Sequence, residues 1–450
     1  MPYIPVTPAQ KAEMLAALGC SSMEELFAEI PADLRFPPLD LDRGLSEQEV
    51  LRELAALADR NTTTERPLWF LGGGFYDHFI PSAVGALASR GEFVTAYTPY
   101  QSEVSQGTLQ TIFEYQSMIA GLTGTEVVNA GHYDGATALA EGVLLALKNG
   151  EGRNLVLLPG DLHPEYRAVL ETYLAPLAPR IETYRGAPAL ALRSAPGAAG
   201  AKDAGGGLAC LVAAYPGFFG DIPDLRGAAD AVHGAGGLFI VHTDPIMLGL
   251  FKSPGEYGAD LVTAEGQSLG NDLNYGGPGL GIMGVSRALM RRIPGRIAGE
   301  TRDSRGRRGY VLTLAAREQH IRRERAVSNI CSNQGLAMLR ACIYLALMGK
   351  GGLKKTAELC WHKSHYAAER IAALPAFAVK NASFFKEFTA VLPGNAGEAA
   401  EKLAKKNIIC GLPLSRYFPD RDRELLICVT EKNTRQDIDD LVQALKEAFA

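Results

Sequence analysis

No lysine occurs between Ser253 and Gly349, although Lys and Arg together number 45 in this 450-residue chain. Charge of neither sign dominates: 45 basic against 50 acidic residues leave a formal net charge of −5. With no aromatic residues interleaved along a Lys/Arg stripe, that balance excludes a basic nucleic-acid-binding face. The seven cysteines (Cys20, Cys210, Cys331, Cys342, Cys360, Cys410 and Cys428) are scattered, and no CxxC pair occurs. That spacing excludes a disulfide framework and a thiolate zinc site, and reduced thiols are expected. HExxH, HxH and Walker A patterns are also missing. His362 and His365 stand three apart on a helical stretch without a partner ligand, so a solvated face is expected there. The longest apolar stretch, Gly335 to Met348, is too short to span a bilayer and contains Arg340. It reads as a buried helix, and no membrane partner is expected. The N-terminus, Met1-Pro-Tyr-Ile-Pro-Val-Thr-Pro, has no basic region followed by an apolar run, so a cytoplasmic location is expected.

Hydrophobic residues make up 47% of the chain and charged ones 21%, an ordinary globular composition with length for two or three domains. Residues 1–62 show helical periodicity: two short helices within 7–30, then an amphipathic helix over 46–60 started by Ser46. Over 63–316 short apolar runs alternate with helical stretches. Strands are expected at 125–129, 154–158, 208–214, 238–242, 260–264 and 279–285, and helices at 135–148, 163–174 and 225–235. That alternation predicts an α/β domain with a mostly parallel sheet covered by helices. The Ala/Gly-rich stretch 187–207 reads as an exposed loop. Residues 317–450 read as a smaller α+β domain. It comprises a charged helix surface over Arg317–Arg325, helices to Ala373, strands at 384–392 and 425–429, and a closing amphipathic helix over 434–449.

Chemistry concentrates at two turns. Val241-His-Thr-Asp-Pro puts Asp244 just past the carboxyl end of a buried strand, where ligands of open α/β sheets bind. An Asp there can pair with the protonated ring nitrogen of pyridoxal phosphate (PLP) or merely cap the turn before Pro245. Asn129-Ala-Gly-His-Tyr-Asp-Gly leads from a strand into a helix whose first N–H groups suit a phosphate, with His132 or Tyr133 available to stack on a ring. In this order the two segments fit the large domain of a fold-type-I PLP enzyme. Such an enzyme needs a Schiff-base lysine after the Asp-bearing strand. The lysine-free stretch falls there instead, with Gln267 and Ser268 near the vacated position. Lys252 is the only lysine nearby, and it precedes the next strand. The glycine cluster at Leu71-Gly-Gly-Gly does not fit a dinucleotide fingerprint.

Several strings carry a resemblance over almost the whole chain. They are Tyr97-Thr-Pro-Tyr-Gln-Ser-Glu-Val-Ser-Gln-Gly, Tyr133-Asp-Gly-Ala-Thr-Ala-Leu-Ala-Glu, His163-Pro-Glu-Tyr-Arg, Gly266-Gln-Ser-Leu-Gly, Arg317-Glu-Gln-His-Ile-Arg-Arg-Glu, Ser328-Asn-Ile-Cys-Ser-Asn-Gln and Thr430-Glu-Lys. With them the chain resembles the glycine-cleavage P-protein family, in the form of the N-terminal-half subunit, glycine dehydrogenase (decarboxylating) subunit 1. The resemblance implies a heteromeric enzyme that decarboxylates glycine through PLP and passes the aminomethyl group to the lipoyl arm of H-protein. It implies that PLP and its lysine reside on subunit 2, that the assembly is α2β2, and that this chain is inactive alone. His132, Tyr133 and Asp244 are then expected to mark a vestigial pocket. Tyr97, Thr98, Tyr100, Gln101, Glu103, Ser105 and Gln106 form a polar segment before a helix. They are candidates either to line the partner's active site or only to fix the interface. A self-sufficient PLP lyase that uses Lys252 and a non-enzymatic scaffold on a degenerate PLP-enzyme fold are the alternatives.

Overall fold

The computed structural model describes residues 6–35, 40–95, 97–194, 206–326 and 328–449. The chain divides into two units, Met1–Thr62 and Thr63–Ala450. In the first, the helices Pro8–Ala17 and Glu47–Ala58 each begin with a capping box, from Thr7 with Gln10 and from Ser46 with Glu49. Neither helix buries a residue.

Among the described residues, the second unit carries fifteen strands. In chain order they are β1 (Leu68–Trp69), β2 (Val127–Val128), β3 (Leu155–Pro159), β4 (Arg180–Tyr184), β5 (Leu208–Tyr215), β6 (Leu238–Thr243), β7 (Leu261–Glu265), β8 (Gly281–Val285), β9 (Ile297–Arg302), β10 (Arg308–Thr313), β11 (Ala378–Val379), β12 (Glu387–Val391), β13 (Ile408–Ile409), β14 (Leu412–Pro413) and β15 (Glu424–Cys428). Seven of them form the main sheet in the order β2-β8-β7-β6-β5-β3-β4. All neighbours are parallel except β8, which runs against both of its partners. Strands buried on both faces read as unbroken apolar runs, and β3, β5, β7 and β8 are buried throughout. Alternate residues serve opposite faces. Leu155 and Leu157 join a core with the helices Gln106–Thr123 and Gly335–Ala372, while Val156 and Leu158 pack with the helices Gly135–Asn149 and Pro164–Leu174.

A second, antiparallel sheet has the order β11-β12-β15-β14. Phe388, Leu425 and Ile427 pack there against Ile438, Leu441 and Leu445 of the closing helix Arg435–Ala448. The Gly335–Ala372 helix serves both cores. Ala337, Met338, Ala341 and Tyr344 pack under the main sheet, and Ala367, Ala368 and Ile371 under the second. It bends at Gly349, where φ is 58°.

Three expectations need correction. The Arg317–Arg325 run is not one solvated helix but a short helix, Gln319–Arg322, between two 3-10 turns. Arg317 turns inward and donates to Gly295 O at 2.9 Å. His365 is half-buried, stacked on Phe384 with centroids 4.1 Å apart, because the helix packs there on the second sheet. The stretch read as a loop from 187 begins with a helix, Pro188–Ser194; residues 195–205 lie outside the described residues. Strand β4 and the β9–β10 hairpin carry mixed polar residues and gave no period to read.

The strap between β1 and the first long helix passes close to the second sheet at Gly72. A Cβ on Gly72 would meet Glu387 Oε1 at 2.2 Å and Cys428 Cβ at 2.7 Å. Gly121, inside the Gln106–Thr123 helix, has nothing within 4 Å. Gly72→Ala is therefore expected to destabilise the protein by roughly 1–3 kcal/mol through overpacking. Gly121→Ala is expected to stabilise it by up to about 1 kcal/mol through helix propensity. Opposite shifts of the thermal midpoint would check the pair.

Candidate functional site

The carboxyl ends of β5, β6 and β7 converge on one small cavity, and each contributes a side chain or turn. Past β6, Asp244 is buried. Its Oδ1 accepts from Ile246 N at 2.9 Å, which fixes the turn through Pro245. Its Oδ2 lies 2.6 Å from the Lys386 ammonium. Asp244 therefore both caps the turn and pairs with a cation, and the cation belongs to the chain itself.

Lys386 directly precedes β12 and is only 2% exposed. Its Nζ sits 3.4 Å from the centroid of the Tyr76 ring, a cation–π contact, and 2.9 Å from His78 Nε2. On its far side, His78 Nδ1 reaches Glu431 Oε2 at 2.7 Å. An ammonium can only donate, so the tautomer that satisfies both partners accepts at Nε2 and donates from Nδ1 to Glu431. Glu431 also accepts from Phe79 N at 2.7 Å. Burial is the largest influence and works against the Lys386 ammonium, but its surroundings, the Asp244 carboxylate foremost, together outweigh it and hold the pKa above the ordinary lysine value. Burial likewise opposes ionised Glu431, yet the His78 imidazole and the Phe79 amide bring its carboxyl down to about 2. Glu387 accepts from Gly73 N and Tyr76 Oη, both at 2.7 Å, so the glycine-rich strap is tied to β12.

At the end of β7, Glu265 fills the start of the Gly135–Asn149 helix. Its Oε2 accepts from Gly135 N at 2.7 Å, and its Oε1 from Gln267 N and Leu280 N, both at 2.8 Å. Burial pushes the Glu265 carboxyl up to about 7, against the pull of these three amides. His163, Tyr166 and His242 complete the walls, His163 stacked on Tyr166 with centroids 4.9 Å apart. The cavity left between these groups is about 60 Å³.

The other expected residues fall elsewhere. His132 is buried and bonded through Nε2 to Asn129 Nδ2 at 2.8 Å, and burial drives its pKa down to about 3. It is a core histidine, and neither it nor Tyr133 lines the cavity. The N–H expected to hold a phosphate, that of Gly135, is taken by Glu265. Gln267 braces the strap, accepting from Tyr76 N at 2.9 Å and donating to Asn271 O at 2.8 Å. Ser268 is buried beside it. Lys252 is exposed and lies over the Tyr257 ring at 4.6 Å, away from the cavity lining. Thr98, Tyr100, Gln101 and Ser105 line a separate open groove of about 1140 Å³. Tyr97 is 93% exposed, and Glu103 is exposed as well. Gln106 instead pins the hairpin, donating to Tyr310 O at 2.8 Å and accepting from Tyr310 N at 2.9 Å. Arg296 reaches this groove, donating to Tyr100 Oη at 3.2 Å and to Cys331 O at 2.6 Å.

Sequence reading missed Lys386, Glu387, Tyr76, His78, Glu265 and Glu431. One signal was available: Lys386-Glu387 interrupts an otherwise apolar strand stretch, and charges buried in such a strand need partners.

A family model described as glycine cleavage system P-protein matches residues 1–445. The chain belongs to that family. Curated relatives named probable glycine dehydrogenase (decarboxylating) subunit 1 are 49% identical in Thermomicrobium roseum and 47% identical in Moorella thermoacetica, each over 100% of both chains. The crystal structure of glycine decarboxylase (P-protein) of the glycine cleavage system, in inhibitor-bound form, superposes with a TM-score of 0.89 at 42% identity over 100% of both chains. Mouse CSAD, at 15% identity, matches with a TM-score of 0.69 over 95% of this chain and 92% of its own, which shows the fold alone. The P-protein chain thus has the fold-type-I architecture of PLP-dependent enzymes.

PLP does not fit the residues that the fold places at its usual pocket. A cavity of about 60 Å³ holds a few waters, whereas ligand pockets start near roughly 300 Å³. The Asp244 carboxylate and the Gly135 amide are both already engaged. A metal fits no better. His78, Cys360 and Glu431 gather ligand atoms within 4.8 Å, but His78 Nε2 is bound to the Lys386 ammonium, which would repel a cation.

The Glu431 carboxyl, held at about 2 against an unfolded value near 4.5, stabilises the fold fully above pH 4.5 and loses that effect as pH falls through 2. Glu431→Gln is expected to flatten the fall of the thermal midpoint between pH 4.5 and 3, measured by scanning calorimetry on both proteins.

Proposed function

We propose that this chain is the lysine-free subunit of a heteromeric glycine decarboxylase and works only with a second, PLP-bearing subunit in an α2β2 assembly. In this reading the partner holds PLP on its own lysine. The complex releases the glycine carboxyl as CO2 and passes the aminomethyl group to the lipoyl arm of H-protein. The observation that carries the reading is the state of the Asp244 pocket: the lysine-free stretch covers β7, β8 and the turns around them, and Lys386 takes up the Asp244 carboxylate. A PLP enzyme needs an uncharged amine as its nucleophile. The Lys386 amine is kept charged by Asp244 and is sunk in the protein.

The contribution of this chain lies in the groove beside Tyr100. Tyr97 and Glu103 stand out from it, and Arg296 is 8% exposed and anchored at Cys331 O and Tyr100 Oη. Exposed aromatic and charged side chains around a braced arginine suit contact with a partner's substrate channel. The chain's own residues would there orient glycine or the lipoyl arm and keep water out.

Two measurements test the reading. Exchange of the glycine carboxyl with labelled CO2 is expected only when both subunits are present; exchange by this chain alone would refute it. A tetramer that forms normally yet shows no exchange would favour the scaffold alternative. Within an intact tetramer, Tyr97→Ala, Tyr100→Phe or Glu103→Gln is expected to lower kcat/KM at least about tenfold, roughly 1.4 kcal/mol of transition-state stabilisation. Normal turnover by all three would limit this segment to interface packing.

A further inference from the structure

The Asp244 pocket is closed by charges, and their placement is specific. A PLP-type cofactor presents a protonated ring nitrogen at one end and a phosphate at the other, and a fold of this kind meets them with a carboxylate and a helix N-terminus. In the present chain a cation already stands on the carboxylate: Lys386 Nζ is 2.6 Å from Asp244 Oδ2. A carboxyl group already stands at the helix N-terminus: Glu265 takes the amides of Gly135, Gln267 and Leu280.

The surroundings are shaped to these occupants. A Cβ on Gly135 would meet Glu265 Cβ at 2.9 Å and Tyr166 Oη at 2.7 Å, and one on Gly279 would meet Glu265 Oε2 at 2.9 Å. Gly135 therefore makes room for the backbone and Cβ of Glu265, and Gly279 for its carboxyl group. Lys386 is held from three sides, by Asp244, by the face of Tyr76 and by His78. A side chain that had only drifted into a vacant site would not have a complete set of partners.

We infer that Lys386 and Glu265 are internal replacements for the two charged ends of the cofactor, so that this subunit excludes PLP by occupying its pocket and not only by lacking a lysine to bind it. The inference rests on the proposed division of labour between subunits and gives it a physical cause in this chain.

The test uses the full chain and pyridoxamine 5′-phosphate, which has the charges of PLP but no aldehyde and so forms no imine with surface lysines. By equilibrium dialysis, the wild-type protein is expected to show no saturable binding up to about 1 mM. Lys386→Ala/Glu265→Ala frees both charged subsites and is expected to bind at least about tenfold tighter than wild type, with the gain lost when Asp244→Asn is added. Saturable binding by wild type that Asp244→Asn removes would overturn the inference, as would a folded double variant that gains nothing. Should the double variant fail to fold, amine acetylation of the wild-type chain decides. Lys386 is expected to resist modification while exposed Lys252 reacts, and equal rates would overturn the inference. Glycine–CO2 exchange by the assembled complex is a separate readout: its failure would count against the proposed function and leave the pocket result standing.

Discussion

The contact between Lys386 and Asp244 joins the main sheet to the four-stranded antiparallel sheet at the place where open α/β sheets receive ligands. Asp244 directly follows β6 of the main sheet, and Lys386 directly precedes β12 of the second sheet. Removing one member of a buried pair leaves an uncompensated charge, at a cost of about 3–5 kcal/mol. The neighbouring groups are arranged around that constraint. Tyr76 lies under the ammonium, His78 passes its polarity to Glu431, and Glu387 ties Tyr76 and Gly73 back to the same strand. The glycine strap, the second sheet and the Asp244 turn are thereby held in one register.

The open groove beside Tyr100 is built differently. Its fixed parts are Gln106, bonded to the hairpin backbone, and the buried Arg296, bonded to Cys331 O. The side chains it presents, Tyr97 and Val104 above all, are exposed. One region of the chain thus has satisfied charges and almost no free volume. The other has volume and exposed side chains. A subunit that supports a neighbour's site needs the second kind of surface and has no use for a vacant pocket of the first kind.

Much of the fold was legible because burial leaves a trace. Strands β5, β6, β7 and β8, covered on both faces, appear as continuous apolar runs, and the helix after Asp134 shows its Ala-rich core face. The hairpin β9–β10 was not legible because half of it is solvated and its residues alternate without a clear period. At the site, Asp244 was found because its position after a strand has meaning in any open α/β sheet. Its partner was not, because the contact joins residues far apart in sequence and sequence spacing says nothing of such a pair. His132 misled for a local reason: a histidine at a strand–helix turn looks available until the Asn129 amide and the β8 backbone are seen to enclose it.

A closed pocket does not by itself require charges. Apolar residues of similar volume fill buried sites as stably as an ion pair, and often more so. The reason for a lysine here lies in the two oxygens of Asp244. Oδ1 holds the turn that carries the chain from β6 through Pro245, so an apolar residue at 244 would leave Ile246 N without its acceptor inside the protein. While Asp244 stays for the sake of that turn, its other oxygen carries a charge that must be met. Lys386 meets it from the second sheet, and Glu265 does the same for the amides at the start of the Gly135 helix. The backbone at these strand ends is polar, and the chain supplies its partners from Lys386 and Glu265.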